Sequence, residues 1–210
     1  MELDTAYMIT VFVTMFVVID PIGIAPLFLA LTQGMTPVQR RGVAIRSTFT
    51  AGILLALFAF GGEALLGFVG ISMAAFRIAG GVLLFLTALD MLFERRTKRR
   101  EDKTEEDHPN DPSIFPLAMP LMAGPGAIAS VILLIGERPG GEGMVTVLSI
   151  TALVLLSMAI ILTLSTYLDR LIGKTGIDII TRLLGMLLAA LSVQFVLDGL
   201  AAFGFGPGTG

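Results

Sequence analysis

Phe16-Val-Val-Ile-Asp20-Pro21-Ile-Gly23-Ile-Ala-Pro26-Leu-Phe-Leu-Ala30 places a carboxylate, two prolines and a glycine inside an apolar run long enough to cross a bilayer. Proline removes a backbone donor and pushes the residue before it out of α geometry. The run is therefore expected to break near Asp20 and to restart as a second half-helix. Irregular backbone at membrane depth is tolerated only where protein or a water-filled cavity satisfies it, and an ionisable group there marks a candidate functional site.

The rest of the composition agrees with a membrane setting. The 210 residues are 55% hydrophobic and 15% charged, with a mean hydropathy of +0.88, beyond what a soluble domain reaches. Cysteine is absent and the one histidine, His108, lies in the most polar segment. Disulfides, thiolate or histidine metal sites and histidine-based nucleophile triads are thereby excluded, and no metal or cofactor is expected. The acidic start Met1-Glu2-Leu3-Asp4 is unlike a secretory signal, so the first apolar run is read as a retained span. A net charge of -3 gives no reason to expect a nucleic-acid partner.

A spanning helix needs about 20 apolar residues. Six stretches qualify, near residues 7–33, 43–69, 74–93, 114–136, 144–168 and 179–203. With the N-terminus outside, the inner loops hold 12 of the 14 lysines and arginines, leaving only Arg77 and Arg138 outside. The positive-inside rule then places both termini outside a cytoplasmic (inner) membrane. Residues 94–113 form a charged stretch, basic from Arg95 to Arg100 and acidic from Glu101 to Asp107, read as a flexible cytoplasmic linker.

The linker separates two halves, 1–93 and 114–210, that resemble each other. Arg77-Ile-Ala-Gly80 and Arg182-Leu-Leu-Gly185 open the third and sixth spans, and Gly124-Pro125-Gly126 interrupts the fourth span as Asp20-Pro21 interrupts the first. The expected fold is all-α, with six transmembrane helices built as two inverted three-helix repeats of period near 105, helices 1 and 4 being broken near the midplane. A pair of proline- or glycine-interrupted spans in corresponding positions points to a transporter binding site.

At these residues the chain resembles the MarC-related family of bacterial and archaeal membrane proteins, often placed near the LysE-type exporters. The resemblance rests on Asp20-Pro21-Ile22-Gly23 with Pro26, Arg77-Ile78-Ala79-Gly80-Gly81 through Asp90, Pro120 through Gly124-Pro125-Gly126-Ala127-Ile128, and Thr181-Arg182-Leu183 through Gln194 and Asp198-Gly199. It covers essentially the whole chain. It implies a six-span inner-membrane protein whose family name reflects an association with multiple antibiotic resistance, and some of whose relatives are described as small neutral amino acid transporters.

The residues themselves suggest how a small solute would be held. Asp20 before Pro21 reads as a helix cap accepting from the amide of Ile22 or Gly23. Gly124 has no side chain for that role, so the amides of Gly126 and Ala127 form an uncapped positive helix end suited to an anion. Asp20 could then take an ammonium and the Gly124–Ala127 turn a carboxylate, unless Asp20 serves only as a cap. Arg77 with Asp198, and Asp90 with Arg182, are expected as ion pairs clamping the third span to the sixth or gating it. Gln194 is expected either to bond across helices or to face the site, and Glu63 is a candidate proton relay. Thr10 and Thr14 are expected to bond their own helix carbonyls.

The function expected is secondary transport of a small polar solute, foremost a small neutral amino acid, by alternating access. No Gly-rich nucleotide loop is present, so an ion or substrate gradient would drive it, with protons through Asp20 or Glu63 and sodium through carbonyls near residues 18–20 both open. A membrane scaffold or partner subunit is the alternative class. An intramembrane enzyme is a third, for which the spans lack histidine, cysteine and clustered carboxylates. Substrate, direction, coupling ion and oligomeric state are not written in the residues.

Overall fold

A computed structural model describes residues 5–93 and 111–205. Among these the protein is helical: α1 (Thr5–Ile19), α2 (Pro21–Leu31), α3 (Pro37–Val69), α4 (Met73–Leu92), α5 (Ser113–Met122), α6 (Pro125–Glu137), α7 (Gly141–Thr163) and α8 (Ser165–Ala202). Most of the charged linker, with the Arg95–Lys103 run and His108, lies outside the described residues.

Five spans are long and apolar enough to cross a membrane, and a sixth if α5 and α6 count as one. Local chemistry sets their ends. Thr36 caps α3 reciprocally with Gln39, ahead of Pro37, and Gly70 closes that helix in the left-handed region. Ser72 caps α4 through the amide of Ala75. Gly173, at φ +67°, bends α8, leaving Thr175–Ala202 as its spanning part.

The fourth span departs from a plain helix of residues 114–136 with one break. Phe115 and Met119 are extended (φ/ψ -122°/127° and -129°/124°), and each precedes a proline, Pro116 and Pro120. The steric rule that disfavours α geometry before proline accounts for both. The widened winding closes from Ala123 N–H back to Ala118 O at 2.9 Å, and α5 meets α6 at 51°.

The α1–α2 span is 56% buried, against 22–39% for the spans of α3, α4, α7 and α8, and nearly every residue of α6 from Gly126 to Ile135 is buried too. Two central spans, α1–α2 and α5–α6, are thus surrounded by four outer helices. Phe49 and Phe60 on α3, Leu86 on α4, Leu156 on α7 and Leu187 on α8 expose apolar faces fit for lipid. The helices α4 and α8 run antiparallel and very close: a Cβ at Gly81 would lie 2.7 Å from Ser192 O, and one at Gly185 would lie 3.0 Å from Met91 Cβ. Small residues that let backbones approach are the usual basis of helix association in lipid.

Candidate functional site

Asp20 is fully buried and stands alone between α1 and α2 in the left-handed region, φ 56° and ψ 62°. A non-glycine residue rarely adopts this conformation, and aspartate tolerates it better than most. Its carboxylate accepts from Gly23 N–H at 3.0 Å, the second of the two alternatives expected for the cap. A Cβ at Gly23 would collide with that carboxylate, which is why glycine sits there. The backbone ladder is nonetheless carried past the interruption, Asp20 N–H to Phe16 O at 3.0 Å and Ile24 N–H to Asp20 O at 3.1 Å. Pro21 returns no hydrogen to Val17 O, and the amide of Gly23 that would serve Ile19 O is held by Asp20. The result is a buried carboxylate beside two main-chain carbonyls without their helical donors.

On the other central span, Gly124 opens α6 with no side-chain cap, and the first intrahelical bond runs from Ile128 N–H to Gly124 O at 3.0 Å. The amides of Gly126 and Ala127, both buried, precede that bond. A Cβ at Gly126 would stand 3.3 Å from Leu84 Cδ2, 3.5 Å from Val18 Cγ1 and 3.6 Å from Thr87 Oγ1. The two interruptions therefore meet: the start of α6 lies against the end of α1, with α4 alongside.

The same seam holds two residues that spacing did not single out as a pair. Tyr7 donates to Leu134 O at 2.7 Å, and Arg138 lies 4.7 Å over the Tyr7 ring, so α1 and α6 run antiparallel in a fixed register. One turn back from Val18 on α1 is Thr14, and one turn on from Gly126 on α6 is Ser130, each on the face that meets the other helix. Both are fully buried and neither hydroxyl has a hydrogen-bond partner. Thr14 thus departs from the expected bond to its own helix, while Thr10 does make one, to Ala6 O at 3.0 Å. Buried polar groups are nearly always paired, so an orphaned pair beside a broken helix points to a ligand, ion or water. The sequence signal was a hydroxyl six residues from each break.

Other expected site residues are placed elsewhere. Arg77 and Asp198 share a level of the α4–α8 pair, since Ala74 and Ile78 lie against Gly199, yet they do not form the expected ion pair. Asp198 accepts from Gln194 Nε2 at 2.7 Å on its own helix, and Arg77 Nε has no partner. The face of α8 turned to α4 carries Ser192, Val196 and Gly199, so Asp198 points about 100° away. Gln194, read as buried, is exposed for the same reason. Glu137, not singled out beforehand, lies within electrostatic reach of Arg77 and Asp198. Gly185 against Ala88 and Met91 brings Asp90 and Arg182 to one level at the opposite end of the pair. Glu63 is exposed on α3, remote in sequence and burial from the central seam. Among the described residues no group of three or more histidine, cysteine or carboxylate side chains is placed to hold a metal.

The model of the MarC family, described as integral membrane proteins, matches residues 5–203. The chain is 35% identical over 192 residues to a UPF0056 membrane protein of Aquifex aeolicus, covering 90% of each. It is 38% identical over 193 residues to one from Methanocaldococcus jannaschii, covering 90% of this chain and 84% of that one. A second protein of that organism is 35% identical over 201 residues, 94% of this chain and 98% of the relative. No solved structure matches.

Proposed function

This chain belongs to the MarC family of integral membrane proteins, and from that premise we propose that it is a secondary transporter of a small dipolar solute, foremost a small neutral amino acid. The observation that carries the proposal is the meeting of the two interruptions inside a multi-span bundle, a buried carboxylate on one and bare amides on the other. Asp20 takes the ammonium, the amides of Gly126 and Ala127 take the carboxylate, and Thr14, Ser130 and Thr87 supply hydroxyls between or beside them. Pro21, Gly23, Gly124 and Pro125 shape the two turns. No bond is made or broken in the solute, so no enzymatic step is assigned.

Alternating access needs two halves that can rock about one site, and the packing supports an inverted repeat. Gly81 faces Ser192 and Val196, while Gly185 faces Ala88 and Leu92. Each residue of the second set lies 104 positions from its counterpart in the first, the same offset as between Pro21 and Pro125 and between the starts of α3 and α7. Neighbouring pairs follow suit: α4 packs on α6 as α2 packs on α8, and α3 on α6 as α2 on α7. A shift of 104 also puts Arg77 and Arg182, which are 105 apart, one residue out of register. This is the plan in which broken helices place a site at the repeat interface. With the arginine-rich ends inside, both termini face outward across the inner membrane.

Transport of labelled glycine and alanine in proteoliposomes tests the proposal, with proton and sodium gradients imposed separately. The native protein is expected to accumulate or exchange solute, and Asp20→Asn, which keeps the cap and the left-handed backbone, to lose it while remaining folded. Unimpaired transport by that variant rules out the ammonium role. A well-folded native protein that moves neither solute under any gradient shifts the assignment to another solute or to a scaffold.

A further inference from the structure

We infer that the arginine-bearing end of the bundle holds a second site, remote from the helix breaks, that takes a phosphate-bearing anion such as the headgroup of an anionic lipid. A cavity of about 620 Å³ opens between the start of α3 and the corner where α7 passes into α8. That is within the range of small-molecule sites and far more than a bare phosphate fills.

The polar lining suits one class of ligand. Arg40 is held in place by two bonds, Nε to Thr32 O at 3.2 Å and an Nη to Thr166 Oγ1 at 3.3 Å. Those bonds fix the plane of its guanidinium and leave donors over. Arg41 beside it makes no hydrogen bond or ion pair among the described residues and also lines the cavity. Ser165, 2% exposed, lines the same wall, and α8 begins there with no side-chain cap. Among the described residues no carboxylate lines the cavity beside the two guanidinium groups. Paired guanidinium groups with hydroxyls are a recurrent phosphate-binding set, because the planar fork matches two phosphate oxygens.

The apolar lining says how such an anion arrives. Met35, Val38, Leu162 and Tyr167 also line it, with Val38 81% and Tyr167 71% exposed. An exposed amphipathic ring beside aliphatic side chains matches the headgroup level of a bilayer, and basic pockets between helices hold anionic lipid headgroups there.

The test uses the full-length protein, delipidated in a neutral detergent at fixed ionic strength. Thermal midpoints are read on titration with phosphatidylglycerol, phosphatidylcholine of the same chains, glycerol phosphate and inorganic phosphate. Phosphatidylglycerol is expected to raise the midpoint saturably and phosphatidylcholine not to do so. Arg41→Gln is expected to weaken the response about tenfold, the effect of one lost charge-assisted contact. Arg46→Gln, at the same end outside the cavity, is expected to leave it intact. Arg40→Gln also loses the tie to α8, so Arg41→Gln carries the test if that variant does not fold. Equal responses to glycerol phosphate and phosphatidylglycerol would make the source a free phosphate ester. Equal responses to the two lipids, or an unchanged response in Arg41→Gln, would overturn the site.

Discussion

The two interruptions solve one problem in opposite ways. At Asp20 a single residue turns left-handed, its carboxylate caps the next helix, and α1 and α2 continue as one 27-residue span. At Gly124 there is no cap, the preceding segment is pulled open by Pro116 and Pro120, and the span bends by 51°. One side thus offers an anionic group and the other bare donors. The difference teaches that two interruptions 104 residues apart share a backbone placement but not a chemistry, the division on which the proposed dipolar solute rests.

The sharpest way to break this contrast is to add a methyl group at each turn. At Gly124 a Cβ would collide with Pro120 O, a backbone atom that cannot rotate away. Gly124→Ala should therefore cost about 3 kcal/mol or more, read as loss of monodisperse protein. At Gly23 the obstacle is only the Asp20 side chain. Gly23→Ala should cost about 2 kcal/mol, and much less in an Asp20→Gly background, where the obstacle is gone and the left-handed backbone is still allowed. Equal costs in both backgrounds would mean the carboxylate is not what excludes the methyl.

Next come the hydroxyls. Thr14→Val and Ser130→Ala each remove a buried hydroxyl without a partner, so each should raise stability of the solute-free protein by about 1 kcal/mol while reducing transport. A drop in stability would reveal a partner that the hydroxyl satisfies.

The smallest effect is expected where Arg46 meets Asp111 at 2.9 Å, with side chains 56% and 49% exposed. Partial burial raises the Asp111 pKa, but hydrogen bonds from Ser113 and the Arg46 guanidinium outweigh it, holding the carboxyl below its ordinary 3.8. A lowered folded value means the stabilisation is complete above about pH 3.8 and is lost as pH falls through the folded value. The unfolding free energies of native protein and Arg46→Gln, from thermal melts, should differ by no more than about 0.5 kcal/mol at neutral pH and converge in acid.

The membrane setting, the number of apolar runs and the sites of both interruptions were legible in the sequence, because hydropathy and proline act locally. Pro116 and Pro120 carry an equally local message about Phe115 and Met119, because each proline disfavours α geometry in the residue before it. The levels of Arg77 and Asp198 along their helices were also legible, by counting residues from the span ends. Their faces were not, and the expected ion pair failed on that point.

By itself, then, the sequence determined where the chain enters, crosses and interrupts the apolar phase, since each of those follows from a few consecutive residues and their transfer or backbone energies. Only the tertiary structure decided which faces meet: Tyr7 on Leu134, Gly126 against Val18, Gly81 against Ser192, and Asp198 bonded to Gln194. Each residue turns a helix by about 100°, so the facing partner depends on how the helices rotate to pack together, and no single stretch of sequence contains that information.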